Sequence, residues 1–230
     1  MVKNTDPPPY GTYEEKSDSW VKSSDYYLDE GNLVILVKNT LYRVWSTSFR
    51  RHSKHFKWML AVDQYSWSKH VADGTDDDHP LRLDLVQPYD FDCLLSVIYP
   101  PVFGEYKADS APQWIAILDL STRWEFDDIR RLAIKQLAGH KIEPVEKIVL
   151  EHKYKIPRQW AYEAYIDLCS RRSPLTKDEA GEVGMETAIL VSQARERLEK
   201  SGRNKPKEVA KVVCLLFELT DPADATCSLQ

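Results

Sequence analysis

The spacing of apolar positions along the chain changes several times, and each change marks an element. From Leu33 to Val37 the chain is continuously apolar and mostly β-branched, the pattern of a strand buried on both faces. Lys38-Asn39 can close a two-residue hairpin turn, with Asn39 supplying the left-handed conformation that such turns need. On the return, Leu41, Arg43 and Trp45 point one way while Tyr42 and Val44 point the other. After Trp45 the period lengthens. Phe49, Phe56 and Leu60 stand among Ser, Arg, His and Lys, which predicts one or two short helices capped by Ser46 and Ser53. Leu81 to Val86 alternates again, with Leu81, Leu83 and Leu85 against Arg82 and Asp84, and predicts a strand with one buried face.

From Pro88 onward the pattern is helical. Phe91, Leu94, Leu95 and Ile98 recur at helical spacing, and Pro100 forbids helical geometry at Tyr99. Trp114, Ile117, Leu118 and Ser121 predict a helix over 113–124. Ile129, Leu132, Ala133 and Leu137 predict another over 127–138, with acids at its start and Gly139 as its C-cap. Farther on, helices are expected from Pro144, from Pro157 (Trp160, Ala164, Tyr165 and Leu168 inward), and from Met185 towards Leu198. A last one carries Val209, Val212, Val213, Leu216 and Leu219. Thr176 and Glu179 form a capping-box pattern. No repeat of 20–50 residues is visible, which removes solenoids and propellers.

Residues 1–24 are polar, with Pro7-Pro8-Pro9, and are expected to form a loose arm. The alternative is that part of it, Ser19 to Tyr27 with Trp20 and Val21, pairs with a partner subunit. The tail, 221–230, is likewise expected to be loose. At 43% hydrophobic and 29% charged residues, the composition is that of a water-soluble globular chain. A net charge of −5 speaks against nucleic acid as a general partner. No run of 18 apolar residues exists, so no membrane-spanning helix is expected, and the first fifteen residues lack the apolar core of a secretory signal. The four cysteines are far apart and form no CxxC pair. They read as free thiols of a reducing compartment, cytoplasmic or nuclear.

Candidate chemistry is sparse. No nucleophile elbow or phosphate loop is present. Asp76-Asp77-Asp78-His79 clusters hard ligands, but without the Gly and Glu positions of a calcium loop, so a solvated loop is the simpler reading. His52 and His55 lack two further zinc ligands nearby, and Cys93 reads as a small core residue. No catalytic residue, cofactor site or metal site is assigned. Six of the tryptophans, from Trp45 to Trp160, are expected to fill cores, with one or two of them at an interface.

The stretch Asp29-Glu30-Gly31-Asn32, the hairpin with Leu41-Tyr42-Arg43-Val44, and the Ser53-Lys54-His55-Phe56 step together resemble the opening of the BTB (POZ) domain. The helix Leu94-Leu95-Ser96-Val97-Ile98-Tyr99, the pair that follows it, and Pro174-Leu175-Thr176 are similar to later parts of that family. The variant resembles the BTB proteins abundant in mushroom-forming fungi, although many members carry His where this chain has Trp45. The resemblance implies an α+β fold: a BTB-like domain over 25–140, with a small mixed sheet covered by helices, then a helical extension over 141–220. It also implies a non-catalytic protein–protein interaction module, a scaffold or regulator that pairs with a second copy of itself. The implied dimer face is Tyr26, Tyr27, Leu33, Ile35, Leu41 and Phe49, with Ile35 and Leu41 equally readable as monomer core. A second role known in the family is substrate adaptor for a cullin-type ubiquitin ligase. That role would use Phe56, Trp58, Met59, Tyr99, Phe103 and Glu105.

Overall fold

The structure, a computed structural model, describes residues 20–62, 74–102, 104–201 and 205–222. It is mixed α+β and divides into two units: 1–47 with 65–88, and 48–64 with 89–230. The second unit therefore holds the segments on both sides of the expected boundary near His140.

The first unit is built on a sheet of β1 (Val21–Tyr27), β2 (Leu33–Val37), β3 (Thr40–Val44) and β4 (Leu81–Arg82), in the order β1-β3-β2-β4. The hairpin forms as expected, with β2 and β3 antiparallel and Ile35 opposite Tyr42. All five residues of β2 are buried, as its unbroken apolar run requires. The turn inverts one expectation, because the positive φ falls on Lys38 (54°) rather than on Asn39. Two further readings are corrected. Val21–Ser24, assigned by its polarity to a loose arm, is strand, held parallel to β3 by backbone pairing that polarity does not report. The strand expected over 81–86 stops at Arg82. Leu83 and Val86 are buried, but Leu85 turns back with φ 61° and is 93% exposed. At the β1–β2 turn a Cβ on Gly31 would lie 2.7 Å from Arg43 Cγ and 2.8 Å from its carbonyl carbon, so only glycine fits there.

The helices follow. Helix α1 (Ser46–His52) begins where Asn32 Oδ1 accepts the Ser46 N–H at 2.9 Å, so the capping oxygen comes from Asn32. The second unit continues through α2 (Lys54–Val62), α3 (Pro88–Ile98), α4 (Ala111–Arg123) and α5 (Asp127–Ala138). After α6 (Pro144–Tyr154), a single 3-10 turn over Arg158–Ala161 leads into α7 (Tyr162–Ser170). Next come α8 (Lys177–Val183), α9 (Met185–Ser201) and α10 (Pro206–Phe217). Gly139 stays right-handed at φ −85°, whereas Lys155 and Glu218 take the left-handed cap after α6 and α10.

Two apolar centres hold this unit. In one, Phe49, Phe56, Phe91, Trp124 and Phe126 meet, with Phe49–Phe56 centroids 5.0 Å apart and Phe56–Trp124 5.4 Å apart, both edge-to-face. The other gathers Ile148, Tyr165, Leu168, Val191, Leu198, Val213 and Phe217 from α6 to α10. Polar links carry the chain from α5 into the later helices. Arg130 donates to the Tyr154 carbonyl at 2.6 Å, and Trp160 Nε1 donates to that of Ile134 at 3.2 Å.

Ser53 joins α2 to the α4–α5 corner. Its Oγ accepts the Phe56 N–H at 2.9 Å and donates to the Trp124 carbonyl at 2.6 Å, in a site only 2% exposed. Replacing Ser53 by Ala removes an N-cap worth about 1 kcal/mol. It also leaves a buried carbonyl without its donor, at a comparable cost. Urea denaturation of Ser53→Ala should therefore show a loss of about 2 kcal/mol with an unchanged slope. An unaltered midpoint would contradict this reading of the clasp.

Candidate interaction surface

Helix α2 has two opposed faces. Phe56 points inward and is buried, and Met59 and Leu60 are half-buried. Lys54, Lys57 and Trp58 point outward, with Trp58 72% exposed. The helix is fixed at its start by Ser53 and by a Lys54 Nζ–Asp127 Oδ2 ion pair of 2.6 Å. That pairing raises the Lys54 ammonium above its ordinary range and lowers the Asp127 carboxyl, in both cases through the hydrogen bond between them first. Trp58 is thus presented on a positioned element, the arrangement in which exposed aromatics act as binding anchors.

The residues that resemblance assigned to a dimer face lie mostly inside the single chain. Leu33, Ile35, Leu41 and Tyr26 are buried, and Phe49 is at the centre of the aromatic cluster, touching Phe56. With their surface already taken up, they have none free for a second copy in this conformation. Tyr27 keeps surface. Its hydroxyl contacts both Asp77 carboxylate oxygens at 2.7 Å, Lys22 Nζ donates to it at 2.9 Å, and Arg43 lies 5.3 Å from its ring centre. Of the residues assigned to a cullin surface, Phe56 is core, while Trp58 is exposed and Met59 half-exposed. Tyr99 is half-buried, Glu105 is exposed, and Phe103 lies outside the described residues. Glu105 is paired across an isolated bridge with Val102, which is 53% exposed. Trp45, at the strand-to-helix junction, is 41% exposed and so is no core filler.

Reactive chemistry is muted. Burial pushes the Cys93 thiol up to about 11 and the Cys169 thiol to about 12, which keeps both protonated and poorly nucleophilic at neutral pH. The acidic loop is occupied with itself. Asp76 Oδ1 accepts the Asp78 and His79 N–H groups at 3.0 and 2.9 Å and sits 2.9 Å from His79 Nδ1, while Asp77 faces Tyr27 and Lys22. Among the described residues, no group of three or more His, Cys, Asp or Glu is arranged to hold a metal ion. None of their helices is long and apolar enough to cross a membrane.

Sequence reading did not single out the cations around Trp58 as a group. The side chains of Arg50, Arg51 and Lys57 make no hydrogen bond or ion pair among the described residues. The signal was present, since no Asp or Glu occurs from Gly31 to Val62. Also missed was a groove of about 240 Å³, walled by Ser48 and His52 of α1, Val97 and Ile98 of α3, and Ile129 and Leu132 of α5. Its parts lie far apart in sequence, so no local pattern announces it.

Removing Trp58 should leave stability within about 0.5 kcal/mol of the parent, as for other exposed positions. Phe56→Ala, two residues away, should cost about 3–5 kcal/mol. Thermal or urea unfolding of the two variants gives the comparison, and a large loss at Trp58 would show it to be structural. No protein-family model matches the chain, and no curated protein matches it in sequence.

Proposed function

We propose that this chain is a non-catalytic protein–protein interaction module of the BTB type, a scaffold or regulator that pairs with a second copy of itself. The observation that carries the interaction reading is Trp58: a large aromatic left in solvent on a helix whose other side is locked by Phe56 and Ser53. A single exposed apolar residue is ordinary on a protein surface, but tryptophan is the type most enriched among the anchors of interfaces. For self-pairing, surface remains on β1, where Val21 is exposed and Tyr27 half-exposed. The resemblance of the hairpin and of the Ser53–Phe56 step adds to the reading, and the scattered cysteines point to a cytoplasmic or nuclear setting.

Light scattering during size-exclusion chromatography tests the pairing. A dimer mass at micromolar concentration is expected, and a monomer throughout would overturn it.

A second reading is substrate adaptor for a cullin-type ubiquitin ligase. The loop after α3 favours it, because the isolated bridge holds Val102 and Glu105 together at the surface as an apolar–acidic pair. A pulldown with a cullin from the same organism should then recover the chain, and Val102→Asp should abolish recovery. Failure of the parent protein to bind would sink the adaptor reading and leave the module reading in place.

A further inference from the structure

The α1–α2 segment carries a charge pattern that its own image does not complement. Residues 31–62 contain six Lys or Arg and no Asp or Glu, whereas the other 198 residues carry the remaining 25 basic side chains against all 36 acidic ones. In the fold, the later part of this run lies on the consecutive helices α1 and α2, where Arg51, His52, Lys54, Lys57 and Trp58 are exposed and Arg50 is half-exposed. Among the described residues, Lys54 alone of these has an acidic partner, Asp127. His52 also forms part of the groove wall, so cationic rim and apolar trough meet on α1. Asp128, which also lines the groove, is paired with Arg131.

We propose that this face docks an acidic, apolar segment of a different protein. The partner's carboxylates pair with Arg51 and Lys57, one of its aliphatic side chains enters the groove, and Trp58 covers its apolar flank. The proposal deepens the interaction-module reading by naming the chemistry of a partner, and it does not depend on self-pairing. Charge complementarity argues for this occupant over a second copy. Near the axis of a symmetric dimer a patch meets its own image, so Arg51 and Lys57 would there face like charges. The volume argues in the same direction. About 240 Å³ is below the usual range for small-molecule pockets and suits a side chain. Three cations whose side chains have no partner among the described residues, on a chain of net charge −5, are too few to track a phosphate backbone.

The test is a display selection of random peptides on the full chain, followed by anisotropy titration of the recovered peptides. Peptides rich in Asp or Glu beside Leu, Ile or Phe are expected. Their affinity should fall about tenfold or more in the double variant Arg51→Glu, Lys57→Glu, and also as salt rises from about 0.05 to 0.3 M. Trp58→Ala should weaken them too. All three positions are exposed or project from the surface, and circular dichroism of each variant checks that it has folded. The proposal is overturned if selection enriches nothing, if the enriched peptides lack acids, or if the double variant binds them equally. It also falls if phosphatidylserine vesicles or an oligouridine RNA bind this face more tightly than the peptides do. Dissociation of a dimer by the double charge reversal would equally refute it, by making the face a self-pairing surface. A monomer that binds acidic peptides would remove self-pairing and leave the proposal standing.

Discussion

The display of α2 depends on a single buried hydroxyl. Helix ends leave backbone donors and acceptors without partners, and burying such an end is costly unless something supplies them. Ser53 supplies two at once, accepting an N–H at the start of α2 and donating to the carbonyl at the end of α4. Around it the Lys54 N–H reaches the Glu125 carbonyl at 3.4 Å, and the Lys54 ammonium reaches Asp127. The hydroxyl therefore fixes the rotation of α2 about its own axis. Phe56 is directed into the ring cluster, and helical periodicity then sends Lys54, Lys57 and Trp58 outward. The residues that face a partner are chosen by the one that does not.

The later helices use the same device with charged groups. Arg195 donates to the carbonyls of Leu168, Arg171 and Arg172, closing the end of α7. Arg171 in turn forks onto Glu179, whose second role is to accept the Thr176 N–H in the capping box of α8. Arg171 first, then that Thr176 N–H, holds the Glu179 carboxyl down to about 2. Inside, the Tyr165 hydroxyl donates to the buried Glu151 carboxylate at 2.6 Å. The apolar centre around Phe217 supplies the driving force, and these clasps decide which way each helix runs across it.

Legibility in the sequence follows how local the determining forces are. Helix α5 was readable to its ends, since Ile129, Ala133 and Leu137 set its face and Asp127 and Asp128 its start. The Thr176–Glu179 box was readable for the same reason: both partners sit within one turn. Strand β1 was not, because it is polar and is held by pairing with β3, which follows it in sequence. Leu85 read as a third inward residue, yet backbone curvature after two paired positions sends it out. At the surface, Trp58 was nameable by type. The burial of Leu33, Ile35, Leu41 and Phe49 was not, because an apolar strand residue looks the same whether its own chain or a second one covers it. The groove required three helices to be placed before it existed at all.

The two proposed partners make different physical demands, and the chain meets them in different places. Strand β1 lies at the edge of its sheet, but residues 22 to 27 on it span only 41 to 43 on β3, an irregularity that spoils a regular ladder on the outer side. A second copy joining there must rely on side chains such as Val21 and Tyr27 more than on backbone hydrogen bonds. The α1–α2 segment carries only basic charged side chains of its own, which disfavours its own image and favours an opposite charge. Self-pairing and recruitment therefore need not compete for one surface. The proposed partners would call on different residues, Arg51, Lys57 and Trp58 for the acidic segment and Val21 and Tyr27 for a second copy.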